Sequence, residues 1–386
     1  MLEGYASDIW WNQISGPSAL VKQITQTILD NQSLYLVTHP DSAWRRQLRY
    51  TCQKRLTEDY QYTVDVFDFE EGMTERETPE SFLLRQIPED ISKKFKPHKE
   101  THVSFLKNSG VFKGTVVWVK GIPDTKVDEW ITFLREWKKT SSESGLFVIN
   151  VNDTGNAPFL SKNVDTVKDR DFITPYDTQV FLFLRASGTN EYRTRLNYKV
   201  SVIASLCGKD GEVADKLLES LNVGTEDPVE TLETLKEKHF HSSPRGSYDP
   251  NLEEHQQHPF YLIGKNDTNT LSKRLWKAQL QILFPLLEEA RMDFVHKYWN
   301  AIEKHLPLKD VYNGEIDNVY DMELGHLIMI TGKQNSDNET LFIDHQEDYD
   351  HLLFLKKIRN TLAHNQTCTP SQADRVLKGH EFEESR

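Results

Sequence analysis

The stretch Ser33-Leu34-Tyr35-Leu36-Val37-Thr38-His39-Pro40-Asp41-Ser42-Ala43-Trp44-Arg45-Arg46 decides the fold. Its first six residues are a short apolar run rich in strand formers. A helical spacing precedes it through Leu20, Ile24 and Ile28, and a second follows from Trp44 to Leu56. The local reading is helix, strand, helix.

Working outward, Tyr62 to Phe69, Thr115 to Ile122, Gly145 to Val151 and Thr178 to Leu184 supply four more candidate strands. Each is near-continuously apolar, as strands covered on both faces are, and Val127 to Trp137 has helical spacing between two of them. An open α/β sheet with parallel strands is the economical expectation.

A strand feeding a loop and helix raises the phosphate-binding loop, which needs G-x-x-x-x-G-K-[ST] at that point. After Thr38 there is no glycine to let the backbone wrap a phosphate, and no lysine placed to reach β and γ oxygens. Val116-Val117-Trp118-Val119-Lys120 ends in a lysine where a metal-binding acid might end a strand, and Asp68 and Glu70 after Val66-Phe67 are a poor substitute. His39, Trp44, Arg45, Arg46 and Arg49 could make an anion pocket at the helix start. The favoured reading is blander: Asp41 or Ser42 caps the helix, Trp44 packs, and the arginines form a solvated face. Over about residues 10 to 195 the pattern resembles the core of AAA+ or STAND-type NTPases with its catalytic motifs eroded. The resemblance implies a degenerate P-loop-like α/β domain over residues 1–195, without NTP hydrolysis and with no cofactor.

Residues 196–237 turn helical, with Val200, Ile203 and Leu206, then Val213, Leu217 and Leu221, as a small lid-like subdomain would. Residues 238–270 read as a linker. His239-x-His241 and His255-x-x-His258 there invite a zinc reading, but they lack thiolates, and the expectation is no metal.

Residues 271–375 read as a C-terminal helical bundle. A long helical pattern from Leu271 to about Leu306 is interrupted at Pro285, Met322 to Ile330 is short and apolar, and Tyr349 to His364 carries Leu352, Leu355, Ile358 and Leu362 on one stripe. The last of these ends in Lys356-Lys357-Ile358-Arg359-Asn360-Thr361-Leu362-Ala363-His364. Asn360 and His364 are four apart and share a helix face, whereas Arg359 and His364 are five apart and diverge by about 140°. A two-fold pair of such helices would bring two arginines and two histidines into one cleft.

The R-N-x-x-x-H arrangement resembles the HEPN family of helical bundles, whose R-x(4–6)-H motif marks metal-independent endoribonucleases. The resemblance implies that Arg359 holds the scissile phosphate, His364 transfers protons, and Asn360 orients His364 or the phosphate. The products would be a 2′,3′-cyclic phosphate and a 5′-hydroxyl. An imidazole exchanges protons near neutral pH and a guanidinium stabilises an oxyanion without a metal. Lys356 and Lys357 are candidate RNA-binding residues. The structural alternative pairs Arg359 with a carboxylate such as Glu323, has Asn360 cap a loop, and leaves His364 to close the helix.

Composition bounds these readings. Length 386, with 37% hydrophobic and 27% charged residues, fits a globular protein of two or three domains and excludes collagen-like and wholly disordered classes. Lys plus Arg number 46 against 59 Asp plus Glu, so at −13 any grip on nucleic acid must come from a small local basic patch. Three well-separated cysteines, Cys52, Cys207 and Cys368, argue against a disulfide framework and for a cytoplasmic setting. There is no signal-like leader and no apolar stretch near 18 residues, so no membrane partner is expected. Ser371 to Arg386 reads as a polar, frayed tail, with 376–386 outside the bundle.

The combined expectation is an RNA-cleaving homodimer, joined through its helical domain and restrained by an inactive NTPase-like domain. The joint resemblance is to bacterial anti-phage or stress-response proteins, with RNA and a protein of such a complex as partners. The competing expectation is a non-enzymatic adaptor that dimerises through the same helices.

Overall fold

Five consecutive buried residues, Leu34–Thr38, form the strand that the sequence predicts. Branched and aromatic side chains covered on both faces are what a central parallel strand requires. The computed structural model describes residues 2–69, 77–138, 144–153, 165–241, 243, 245–310, 314–332 and 346–384. Glu70, Pro244 and His345 lie outside the described residues. The chain forms two compact units, the first comprising Met1–Arg185, Cys207–Asp215 and Ser242–Tyr261, the second Ala186–Leu206, Lys216–His241 and Leu262–Arg386.

The first unit begins with α1 (Leu2–Gln13), α2 (Ser15–Leu29), β1 (Leu34–Thr38), α3 (Arg45–Glu58) and β2 (Thr63–Asp68). It continues through α4 (Pro79–Gln86), α5 (Glu89–Ser92), α6 (His102–Asn108), β3 (Thr115–Ile122), α7 (Val127–Lys138), β4 (Leu146–Asn152), β5 (Asp165–Lys168) and α8 (Pro175–Ala186). The sheet order is β2-β3-β4-β1-β5 and every neighbouring pair is parallel. This is the parallel α/β sheet that the sequence predicts.

One strand is corrected. Thr178 to Leu184 lies in α8, and the fifth strand is β5, a short charged edge. A continuous apolar run fits a buried helix as well as a buried strand, and here the capping chemistry decides. Thr174 and Asp177 exchange bonds across the first turn, the Thr174 N–H donating to Asp177 Oδ2 at 2.8 Å and the Asp177 N–H to Thr174 Oγ1 at 3.4 Å. Pro175 supplies the helical φ at the start.

The core of this unit is aromatic. On α7, Trp130, Phe133 and Trp137 recur at helical spacing, and Phe147 of β4 meets Phe133 at 5.2 Å and Trp137 at 4.9 Å between ring centroids. A second aromatic group joins Trp10, Trp44 and Phe181, with Phe181 5.5 Å from Trp10 and 5.4 Å from Trp44. Gly211 packs on that group so closely that a Cβ there would lie 2.5 Å from the Trp10 ring.

The second unit is helical: α9 (Arg193–Cys207), α10 (Gly211–Ser220), α11 (Pro228–His239), α12 (Pro259–Gly264), α13 (Thr268–Lys297) and α14 (Trp299–Glu303). The first residues of α10 and α12 and the last of α9 belong to the first unit. A two-stranded antiparallel pair, β6 (Leu308–Asp310) and β7 (Gly314–Ile316), precedes α15 (Leu324–Gly332), α16 (Gln346–Ala363) and α17 (Pro370–Glu384). The long helix α13 carries Pro285 inside it. The expected frayed tail is corrected, because Ala373, Val376 and Leu377 are buried on α17 and make it part of the bundle.

Gln279 organises this core. It is 2% exposed, its amide N–H groups reach Tyr198 Oη and the Cys368 carbonyl at 3.0 Å each, and its oxygen accepts the Cys368 N–H at 2.7 Å. Gln279→Leu is expected to orphan the Cys368 backbone groups and lower stability by about 1–3 kcal/mol per group. Urea unfolding of the variant against the unaltered chain measures it.

Candidate functional site

The carboxyl edge of the sheet is the first place where chemistry converges. From β1 the chain proceeds to β2 at one edge, whereas from β4 it proceeds to β5 on the far side of β1. A reversal of this kind opens a crevice beyond the strand ends, where α/β folds seat ligands. Here the chain's own side chains occupy it.

The His39 N–H donates to Asp169 Oδ2 at 2.7 Å, and the Ser42 hydroxyl donates to the same oxygen. Trp44, just before α3, donates its N–H to Glu212 Oε2 at 2.7 Å. Thus the His39 and Trp44 amides are given to carboxylates from two distant segments, while those of Asp41 and Ser42 turn back to His39 Nδ1 and the His39 carbonyl, so the donors that a phosphate would use are already engaged. Neither Asp41 nor Ser42 caps α3 as expected. Asp41 Oδ1 instead accepts the Gly246 N–H at 2.9 Å, and Glu212 supplies the acceptor at the helix start.

Trp44 takes a φ of 44°, in the left-handed region. For a bulky residue that conformation is costly, and burial of the ring against Trp10 and Phe181 offsets it. Trp44 packs, as the sequence predicts. The arginines are less uniform than a solvated face: Arg46 is exposed, Arg49 stacks 4.4 Å from the Tyr50 ring centre, and Arg45 is half-buried. Burial holds Arg45 below the ordinary guanidinium range, while the charge of Asp169 works the other way.

Arg245 closes the network. Its side chain is 8% exposed, with Nε 3.4 Å from Asp210 Oδ2 and a further contact to Glu212. Burial disfavours the Arg245 charge, but Asp210 and Glu212 outweigh it and raise its pKa. Asp210 shows the mirror image, since burial would raise its pKa and the Arg245 charge with the His258 bond brings it below the usual carboxylate range. His39 reaches Asp249 at 3.3 Å, and His258 is 3.2 Å from Asp210. His258 is therefore committed to Asp210, and His255 pairs with Glu253 at 3.1 Å. Among the described residues no group of three or more His, Cys, Asp or Glu is placed to hold a metal ion.

At the carboxyl end of the outer strand β2, Asp68 and Lys120 face each other in the β2–β3 register and form an ion pair. The acid that ends β2 is thereby paired. Cys52 is fully buried and its thiol is pushed up to about 12, so it stays protonated and is not a nucleophile.

The second place is in the helical unit. A cleft of about 200 Å³ is walled by α13, by the turn Val319–Asp321, by the start of α15 and by α16. Lys356, Arg359 and Asn360 line it, and His364 and Lys357 do not. His364 is exposed in the turn after α16, its N–H bonded to the Asn360 carbonyl at 3.0 Å, and Lys357 is exposed on the helix. Arg359 Nη2 lies 3.9 Å from Glu323 Oε2, the carboxylate named in the structural alternative, and its Nη1 lies 3.5 Å from Asn360 Oδ1. Within one chain, then, Arg359 and Asn360 share a cleft and His364 stands outside it.

No family model matches this chain, and no curated protein does. Among solved structures, a chain of one titled "Structure of Drosophila ORC bound to DNA" aligns with 99% of this chain and 72% of that one, at 10% identity and a TM-score of 0.30. Likeness at that level assigns neither fold nor function.

Asp169, Glu212, Arg245 and Tyr320 are the residues that sequence reasoning misses. Asp210-Gly211-Glu212 between two helical patterns is a legible helix start, and Asp210 Oδ1 does accept the N–H groups of Glu212 and Val213 at 3.0 and 3.1 Å. Nothing in it names Trp44 as a partner.

Asp169 gives the pH prediction. Burial raises its pKa more than the bonds from Ser42 and His39 lower it, and Asp153 adds to the rise. A folded-state pKa above the unfolded value of about 3.9 means that its share of stability is full below that value and falls as pH climbs through the raised one. Asp169→Asn does not titrate. Urea unfolding at a series of pH values from 4 upward is expected to show the variant gaining on the unaltered chain as pH rises.

Proposed function

We propose that this protein is a metal-independent endoribonuclease of the HEPN type, assembled as a two-fold dimer through its helical unit. Its α/β unit acts as a non-hydrolysing regulator and docking surface, in a bacterial defence or stress setting. The observation that carries the reading is the cleft that gathers Arg359, Asn360 and Lys356, with His364 exposed at the end of the same helix.

The chemistry assigned to these residues is phosphate neutralisation by Arg359 and proton transfer by His364. Because the two side chains leave α16 in different directions, a complete site requires His364 from a second copy. Arg359 is 40% exposed and its contact with Glu323, itself 62% exposed, is long, so a phosphate can displace that carboxylate at little cost. The closed β1–α3 loop supports the absence of NTP hydrolysis, since a triphosphate would have to displace both Asp169 and Glu212.

A second reading, a non-enzymatic adaptor that dimerises through the same helices, is favoured by the Arg359–Glu323 contact and by the distance of His364 from the cleft lining. Purified protein incubated with total RNA in EDTA separates the two. The ribonuclease reading expects cleavage to cyclic-phosphate ends, and a loss of about 10²–10⁴-fold in His364→Ala, with a comparable loss in Arg359→Ala. A folded dimer that leaves RNA intact supports the adaptor.

A further inference from the structure

The cleft that holds Arg359 also presents an aromatic ring that the reading above does not use. Tyr320 is 49% exposed although Trp299 packs on it at 5.1 Å and 63° and His296 at 6.4 Å and 83°. Its backbone is fixed. Arg291 Nη1 donates to the Tyr320 carbonyl at 3.2 Å and to the Met322 carbonyl at 2.9 Å, and the Tyr320 N–H donates to Asn318 Oδ1 at 3.0 Å. An aromatic side chain supported from the side, on a turn clamped by a guanidinium, is ordered before any ligand arrives.

Lys356, on α16, lines the same cleft half-buried, and no carboxylate pairs with it among the described residues. Gly325 leaves room beside it, since a Cβ there would come no nearer to Lys356 Nζ than 3.9 Å. A half-buried lysine, a weakly held guanidinium and an exposed ring in one small cleft match the two parts of a nucleotide contact: a phosphate for Lys356 and Arg359, and a base face for Tyr320.

We propose that this cleft binds one unpaired nucleotide of single-stranded RNA, with Tyr320 stacking the base, Lys356 and Arg359 holding the adjoining phosphate, and Arg291 positioning the Tyr320 turn. The choice of RNA rests on the ribonuclease reading, and the cleft's carboxylates agree with it. Glu288, Asp321 and Glu323 also line it and disfavour a long polyanionic track, which fits a net charge of −13, and a carboxylate there is an acceptor for a ribose 2′-hydroxyl, which DNA lacks. The cleft is small and open on one side, which suits a single unpaired base rather than a long groove.

The test is fluorescence anisotropy of a labelled single-stranded RNA decamer with the full chain carrying His364→Ala, so that binding is read without cleavage. Tyr320→Ala in that background is expected to weaken binding by about 5- to 100-fold, and Tyr320→Trp to retain it. Lys356→Ala is expected to weaken binding and to reduce the slope of log K against log salt by about 0.7, the value for one phosphate contact on a single strand. DNA of the same sequence is expected to bind more weakly. If Tyr320→Ala keeps the melting temperature of its parent and binds RNA as tightly, the site is overturned, as it is if RNA is not bound or if an acidic phosphopeptide binds more tightly than RNA through the same residues. Cleavage by the unaltered chain is scored separately. RNA bound through Tyr320 without cleavage sustains this site and removes the ribonuclease reading, whereas cleavage that ignores Tyr320 does the reverse.

Discussion

The first unit depends on two carboxylates that end the β1–α3 loop. A helix that begins right after a buried parallel strand points its free N–H groups into the crevice beyond the sheet, and those donors must find acceptors. Folds that bind nucleotides leave the task to a phosphate. This chain assigns it to Asp169 and Glu212, which accept from His39, Ser42 and Trp44. Sinking carboxylates there is expensive in desolvation, and the surroundings reflect it: Arg245 stands beside Asp210 and Glu212, and the charges of Asp169 and half-buried Arg45 favour each other. The missing glycines follow from the same constraint. A loop that must approach a bare phosphate needs residues without side chains, whereas a loop closed by side chains can place a tryptophan in the left-handed region and bury its ring.

Much of the fold was legible because the central strands carry their burial in their composition. β1, β3 and β4 are largely buried runs rich in branched and aromatic residues, short enough between their turn signals to be strands rather than helices. The same logic misplaced Thr178 to Leu184, where length and the Thr174–Asp177 cap were the better guides. β5 was missed for the opposite reason. Its four residues include Asp165 and Lys168, and charges suited to guarding an edge carry no apolar signature.

The sites were less legible than the fold, and the cause is sequence distance. Spacing put Asn360 with His364 on one helix face, yet the cleft takes Asn360 with its neighbour Arg359 and leaves His364 out. Glu212 meets Trp44 across 168 positions, and Tyr320 reaches the cleft from a turn with no motif of its own. What pairs across such a gap is decided by topology, and no local pattern encodes it. The expectation that Ser42 or Asp41 would cap α3 was locally sound and failed because Asp169 and the Gly246 N–H compete for those side chains.

The first unit is drawn from three separated lengths of chain, and this bears on its birth. A nascent polypeptide released only as far as Arg185 already carries the sheet and α8, yet it lacks the Glu212 acceptor, the Arg245 counter-charge and the Gly211 surface against Trp10. Until about Asp215 has emerged from the ribosome the α3 start lacks its Glu212 acceptor and Trp10 its Gly211 cover, and until about Tyr261 the Arg245 counter-charge is missing as well. By then the residues of α9 and α11 have also been made, whereas Leu262–Arg386 of the second unit has not, so the first unit has all of its chain before the second does. Expression boundaries chosen between the sheet and the helices would cut through a single folding unit.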